Sequence, residues 1–131
     1  MLTPRDYDYK IVRHHVGEVC VTVLGTAQDG GFPQLGCQLE CCTKGGNKVK
    51  PRYPVSLGIK GADGSHHLVE ASRMMNEQFQ IWSNQLGEYP KMPNSISLTH
   101  AHLGHIVVLV LFGKEFFGAE GVVVNCSQSL V

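Results

Sequence analysis

The segment AQDGGFPQLGCQLECCTKGGNKVKPRYP, residues 27–54, places five glycines and three prolines within 28 positions. Glycine raises the entropy lost on ordering, and proline removes a backbone donor and clashes with the preceding helical turn, so neither a helix nor a central strand survives that density of both. Regular structure must therefore be assembled on either side of a loop spanning 26–54. A loop of that length in a small domain serves a site or is held down by something. Ahead of it, EVCVTVLGT alternates at the β period from Val19 to Val23 and meets Gly25, which predicts a first strand. Behind it, PVSLGIKG and SHHLVEAS predict two short strands around GADGS, a hairpin with Asp63-Gly64 at its tip.

Ser72 is placed to cap a helix over RMMNEQFQIWSNQLG, in which Met75, Phe79, Trp82 and Leu86 recur at helical spacing and Gly87 supplies the stop. Core packing, not a cofactor, is the reading of that apolar stripe. EYPKMPN reads as a loop, SISLTH as a strand and GVVVNCS as a last strand. Between these two strands, IVVLVLF is rich in β-branched residues, but its length together with GKEFFGAEG favours a helix of about 12 residues starting near Gly104, with Gly113 as a weak point inside it.

The 131 residues fit one domain, and domains near this size bury roughly two-thirds of the surface their unfolded chains expose. Eleven Lys and Arg balance eleven Asp and Glu, so net charge draws the chain neither to nucleic acid nor to an acidic membrane. The longest apolar run, Ile106 to Phe112, falls far short of the ~20 residues that span a bilayer. The charged start MLTPRDYDYKIVRHH lacks the apolar stretch of a secretory signal, and residues 1–17 read as an N-terminal extension. A cytoplasmic location is the expectation. There Cys20, Cys37, Cys41, Cys42 and Cys126 are thiols or metal ligands more readily than disulfides.

Three of the seven histidines, His100, His102 and His105, fall within six positions of SLTHAHLGH. Side chains alternate along a strand, so His100 and His102 project to one side, and a turn after them swings His105 back to the strand's end. Neutral imidazole suits zinc and iron, and a loop at the end of a strand leaves open the coordination position a catalytic metal needs. The competing reading is a set of surface or internally satisfied histidines. His14-His15 and His66-His67 lack a usable partner spacing and are expected to be exposed, whereas Cys20 and Cys126, in apolar strands, are expected to be small core residues.

SLTHAHLGH resembles the His-x-His-x-Asp-His signature of the metallo-β-lactamase superfamily. VLGTAQDGGFPQLGC with the following CC, LVEAS before a helix, and LGHIVVLVLFGKEFFGAEGVVV after the cluster look like the branch containing the pyrroloquinoline-quinone biosynthesis protein B. The resemblance runs from about Val19 to the C-terminus. It implies an α/β (α+β) fold, namely the N-terminal half of an αββα sandwich with a mixed sheet and flanking helices. It also implies a metal-dependent hydrolase acting on an ester-like, amide-like or phosphoester bond of a small molecule, with one or two zinc ions, or with iron or manganese. His100 and His102 match ligands of a first ion and His105 a ligand of a second.

Two departures qualify the match. Gly104 stands where the signature has Asp and has no ligand atom to offer, which makes a single ion credible. The family's remaining ligands come from the second half of a longer chain, so the sequence reads as a first half, a fragment or a shortened product, with no residue assigned as catalytic. The alternatives are a non-catalytic metal-binding half-domain, which would expose a sheet edge suited to pairing in a homodimer, and an iron-dependent oxidation in cofactor biosynthesis. In the loop, Cys37, Cys41 and Cys42 are candidates for a structural zinc. Some members of the resembled branch carry a Cys-x-Cys-x-x-Cys knuckle there, of which Cys37 and Cys42 match the outer positions and Leu39 occupies the middle one.

Overall fold

The computed structural model describes residues 17–43 and 50–130, so most of the expected N-terminal extension, with His14 and His15, and part of the cysteine loop lie outside the described residues. Five strands, β1 (Cys20–Gly25), β2 (Ser56–Lys60), β3 (His66–Val69), β4 (Ser95–Ser97) and β5 (Val123–Asn125), form a single sheet in sequence order. β1, β2 and β3 are antiparallel neighbours, while β3–β4 and β4–β5 are parallel. The sheet is therefore mixed, as the α+β reading requires. The change from antiparallel to parallel has a local cause. GADGS closes β2 onto β3 with Asp63 Oδ1 accepting from the Ser65 backbone N–H (2.9 Å) and Gly64 at φ +83°, whereas a parallel neighbour needs a crossover. Helix α2 (Met75–Leu86) provides that crossover between β3 and β4.

α2 buries Met75, Phe79 and Trp82, the predicted stripe, against Leu24, Leu68 and Ile96 of the sheet, and Gly87 ends it in the left-handed conformation with its N–H on Ser83 O. Ser72 is not the helix's cap residue: the first helical residue is Met75 and Met74 precedes it. Ser72 lies two residues earlier and braces the entry, its hydroxyl accepting from the Met74 N–H (3.2 Å) and donating to the buried Gln78 Oε1 (2.7 Å). Trp82 fits because Gly58 of β2 has no side chain; a Cβ there would stand 2.5 Å from the indole Cε2.

The alternation in β1 is present, but the face that α2 covers is that of Thr22 and Leu24. The valines point the other way, with Val21 58% and Val23 56% exposed. Register carries this outer row across the sheet, through Val21, Ile59, His67, Ser95 and Val123. One sheet face thus has its helix, and the other presents apolar side chains to solvent.

The long loop is strapped by its own backbone. Thr26 and Ala27 N–H groups donate to Tyr53 O, Val55 N–H to Ala27 O, and Phe32 and Arg52 exchange both bonds at 2.8 and 2.7 Å. The segment after the histidines differs from the helix of about 12 residues expected. It is one α-turn, α3 (Leu103–Ile106), followed by a 3-10 helix, Val107–Phe112, and Gly113 ends it instead of lying inside it. The loop after β3 is the reason. Ala71 N–H takes His105 O (2.7 Å) and Ala71 O accepts from Val108 N–H (3.4 Å), drawing both groups out of an α ladder in which β-branched valines are already unfavourable.

Other expectations also fail against the fold. His66 is buried, not exposed, because its strand position faces α2, where it packs edge-on to Trp82 at 5.5 Å; burial, reinforced by the charge of Lys60, holds its pKa below the ordinary 6.5. His67, on the opposite face, is half-buried between Ser65 and Ser95 hydroxyls at 2.8 Å each. Cys126 is exposed, since it follows the edge strand β5, and Cys20 is half-buried.

Candidate metal centre

β3 and β4 are parallel, so their C-terminal ends emerge side by side, and both connections that carry the candidate residues leave from there. After β3 comes Glu70, a residue that is 2% exposed and has φ +66°, a left-handed conformation costly for any side chain but glycine. Three contacts hold it so: its N–H donates to Ser97 O (2.9 Å), Oε1 accepts the Thr99 N–H (3.0 Å), and the Ser56 hydroxyl reaches its carbonyl (3.4 Å). The fold thereby turns a carboxyl group inward beneath the histidine cluster.

His105 is almost fully buried on α3, with Nδ1 3.3 Å from Glu70 Oε2, a close approach without hydrogen-bond geometry, and neither atom has a hydrogen-bond partner. Its Nε2 points to the loop after β1, 2.7 Å from Asp29 Oδ1. A carboxyl group behind one imidazole nitrogen orients the ring and leaves the other for an ion, as in carboxylate–histidine–metal triads. Asp29 Oδ2 lies 3.6 Å from His102 Nδ1. Desolvation pushes the Asp29 carboxyl upward, but the hydrogen bond from His105 and the charges of His105 and His102 outweigh it and hold the pKa below 3.8. His100 completes the group: its Nδ1 meets the Thr99 hydroxyl at 2.7 Å and its Nε2 faces His102 Nδ1 at 3.1 Å.

One ligand atom each from Asp29, His100 and His105 lie within 4.8 Å of one another, the one such group of three among the described residues. Tetrahedral zinc with bonds of about 2.0–2.2 Å spaces its ligands about 3.3–3.6 Å apart, so side-chain shifts on the order of 1 Å close this set on an ion. Imidazole with carboxylate suits zinc, iron and manganese alike. The residues present fit a divalent metal. Beside them opens a depression of about 570 Å³ lined by Asp29, Gly30, Arg73, His102, Gly104 and Val107, and the Arg73 guanidinium is tethered to Gly30 O at 2.7 Å.

No protein-family model and no curated protein matches the sequence. Among solved structures the chain is similar to zinc-bound PqqB from Methylobacterium extorquens, at 20% identity and a TM-score of 0.63, over 82% of this chain and 45% of that one. It is also similar to a diphosphatase from the PhnP family, at 25% identity and a TM-score of 0.51, over 77% of this chain and 39% of that one. The described residues share the metallo-β-lactamase fold of these structures. It spans less than half the length of either of these two structures.

Within this metallo-β-lactamase fold the three predicted histidines do come together, although the tightest group takes His100 and His105 with Asp29 and leaves His102 at its rim, 74% exposed. Cys37, Cys41 and Cys42 do not form a comparable group among the described residues. Cys41 and Cys42 lie on the single turn α1 (Glu40–Thr43), with sulfurs 3.9 Å apart. Asp29 and Glu70 were missed from sequence. Asp29 looked like one more loop residue in QDGG, and Glu70 like the end of a strand in LVEAS. The one available signal was an acidic residue in each of two blocks flanking predicted strands. No helix among the described residues is long and apolar enough to cross a membrane.

Proposed function

We propose that the chain carries the metal-binding half of a cytoplasmic hydrolase site, in which His100, His102 and His105 hold a divalent ion, zinc first and iron or manganese as substitutes. The observation that supports this reading is the convergence of Asp29, His100 and His105 ligand atoms within 4.8 Å at the ends of two parallel strands. A bound ion would supply a Lewis acid and lower the pKa of water toward neutrality, which suits attack on an ester-like, amide-like or phosphoester bond. Glu70, 3.3 Å from Nδ1, stands behind the His105 ring and would leave Nε2 to the ion. Arg73, fixed to Gly30 O at the edge of the depression, is placed to bind an anionic oxygen of a small-molecule substrate. That cation, together with the likeness to a diphosphatase, favours a phosphoester among the three bonds.

Elemental analysis of the purified chain tests the site. Zinc, iron or manganese is expected with the wild type and lost from the His100→Ala, His102→Ala double variant; an unchanged metal content refutes the histidine site. Turnover of a generic phosphodiester, abolished in the same variant, is the companion measurement.

A second reading has its own support. The row Val21, Ile59, Val123 on the open sheet face and the match to less than half of each solved structure favour a half-domain that is completed by a second layer, from further chain or from a second copy. In that case the chain binds metal without turnover and self-associates on size exclusion. A monomer with turnover excludes it.

A further inference from the structure

We infer that Asp29 is the carboxylate ligand of this site, delivered by the loop after β1 into the space that a side chain at position 104 would otherwise fill. The inference rests on the metal-binding reading above and deepens it. Gly104 lies one residue before His105, on the turn that faces the depression, and offers no donor atom. A Cβ built there would stand 2.4 Å from Asp29 Cβ, 2.7 Å from its Cγ and 2.9 Å from its Cα. Those separations are far inside van der Waals contact, and Cα is backbone that cannot swing aside. Asp29 and a side chain at 104 are therefore mutually exclusive, and what occupies the shared volume is a carboxylate.

Its placement is built, not incidental. Oδ1 is 2.7 Å from His105 Nε2 and Oδ2 is 3.6 Å from His102 Nδ1, so one carboxylate faces two of the three imidazoles. The loop that carries it is fastened on both sides: Gly31 N–H turns back to Gln28 O (2.8 Å), Arg73 holds Gly30 O (2.7 Å), and Phe32 and Arg52 pair through their backbones. The Glu70 carboxyl lies behind His105, 3.3 Å from Nδ1 in the buried interior, so Nε2, the atom facing Asp29, is the nitrogen placed to share an ion with it. A divalent ion held by Asp29 and His105 would take the place of the hydrogen bond between them, its proton passing to solvent. The loss of an acid at position 104 therefore does not lower the donor count of the site.

Metal affinity of the chain, measured by competition with a chromophoric zinc chelator, and the visible spectrum of its cobalt form test this without recourse to activity. Asp29→Asn, which keeps shape and a hydrogen-bond acceptor, is expected to weaken zinc at least about tenfold, the low end of what losing even an outer partner of a metal ligand costs. It is also expected to alter the cobalt absorption. Gly104→Asp alone is expected to weaken zinc as well, because the two side chains collide. The exchange Asp29→Gly with Gly104→Asp is expected to recover most of the affinity that Asp29→Gly loses. Wild-type zinc affinity and an unchanged cobalt spectrum in Asp29→Asn overturn the inference, as does an exchange variant that is folded by circular dichroism and binds no better than Asp29→Gly. If His100→Ala and His105→Ala lose metal while Asp29→Asn does not, only the role of Asp29 fails. If none of the three loses metal, the metal-binding reading fails with it.

Discussion

Glu70 combines backbone strain and site geometry in one residue, and a short substitution series separates the two. Its left-handed backbone costs on the order of 1–2 kcal/mol for any L side chain. Against this stand the bond from Thr99 N–H to Oε1 and the 3.3 Å approach of His105 Nδ1 to Oε2. Glu70→Ala keeps the strain and loses the Thr99 bond together with the carboxyl group beside His105. The part-buried Thr99 N–H costs about 1–2 kcal/mol when left unpaired, and His105 Nδ1, which makes no hydrogen bond to Glu70 in the wild type, adds no new unpaired donor, so the expected loss is about 1–2 kcal/mol. Glu70→Gly loses the same partners but relieves the backbone. After allowing for the extra unfolded-state entropy of glycine, it recovers about 0.5–1 kcal/mol of that loss. Urea unfolding of the metal-free chain measures both, and Glu70→Gly should fall between wild type and Glu70→Ala. Zinc affinity should drop about 10-fold to 100-fold in both variants alike, because it follows the orientation of His105 and not the strain. A glycine variant less stable than the alanine variant refutes the strain account, and undiminished zinc binding in both refutes the orienting role.

Three further outcomes follow from the same geometry. Gly58→Ala places a methyl 2.5 Å from the fully buried Trp82 indole and should destabilise by about 1–3 kcal/mol in urea, with Trp82→Phe in the same chain recovering part of the loss. His66, whose folded pKa is depressed by burial and by Lys60, takes up a proton more readily when unfolded; the stability it contributes is complete above its ordinary pKa of 6.5 and declines as pH falls from there toward the folded value. The urea midpoint should therefore fall more steeply below pH 6.5 in wild type than in His66→Phe, and parallel profiles would contradict the assignment. Val21→Glu, on the open sheet face, should leave monomer stability within about 0.5 kcal/mol if that face stays solvated, and should abolish self-association on size exclusion if a second copy covers it.

Much of this protein is local and was therefore legible from the residues alone. The hairpin follows from Asp63-Gly64, the apolar stripe of α2 from its 3.6 period and its end from Gly87, and the three histidines offered a candidate metal site through a spacing of two and then three residues. The fold class was carried by the order of those blocks. What escaped was set by partners distant in sequence. Valines at the β period in β1 signal a strand but cannot say which face is covered, and α2 takes the Thr22 and Leu24 side. The apolar run after His105 has the length of a helix, but the backbone of Ala71, 34 residues before His105, intercepts its hydrogen bonds and tightens it into a 3-10 turn. His66 became a core residue only because its strand lies under Trp82.

The donor set shows the division most plainly. Sequence supplied the imidazoles because they lie together on the chain, and it registered Gly104 as a missing ligand because a glycine has none to give. Only the tertiary structure brings Asp29, 76 residues from His105, and Glu70 to opposite sides of the same ring. Carboxylates recruited across the fold leave no periodicity and no spacing behind them. They are decided by which loop the sheet order sets beside which turn, and by the small volume that a glycine leaves free.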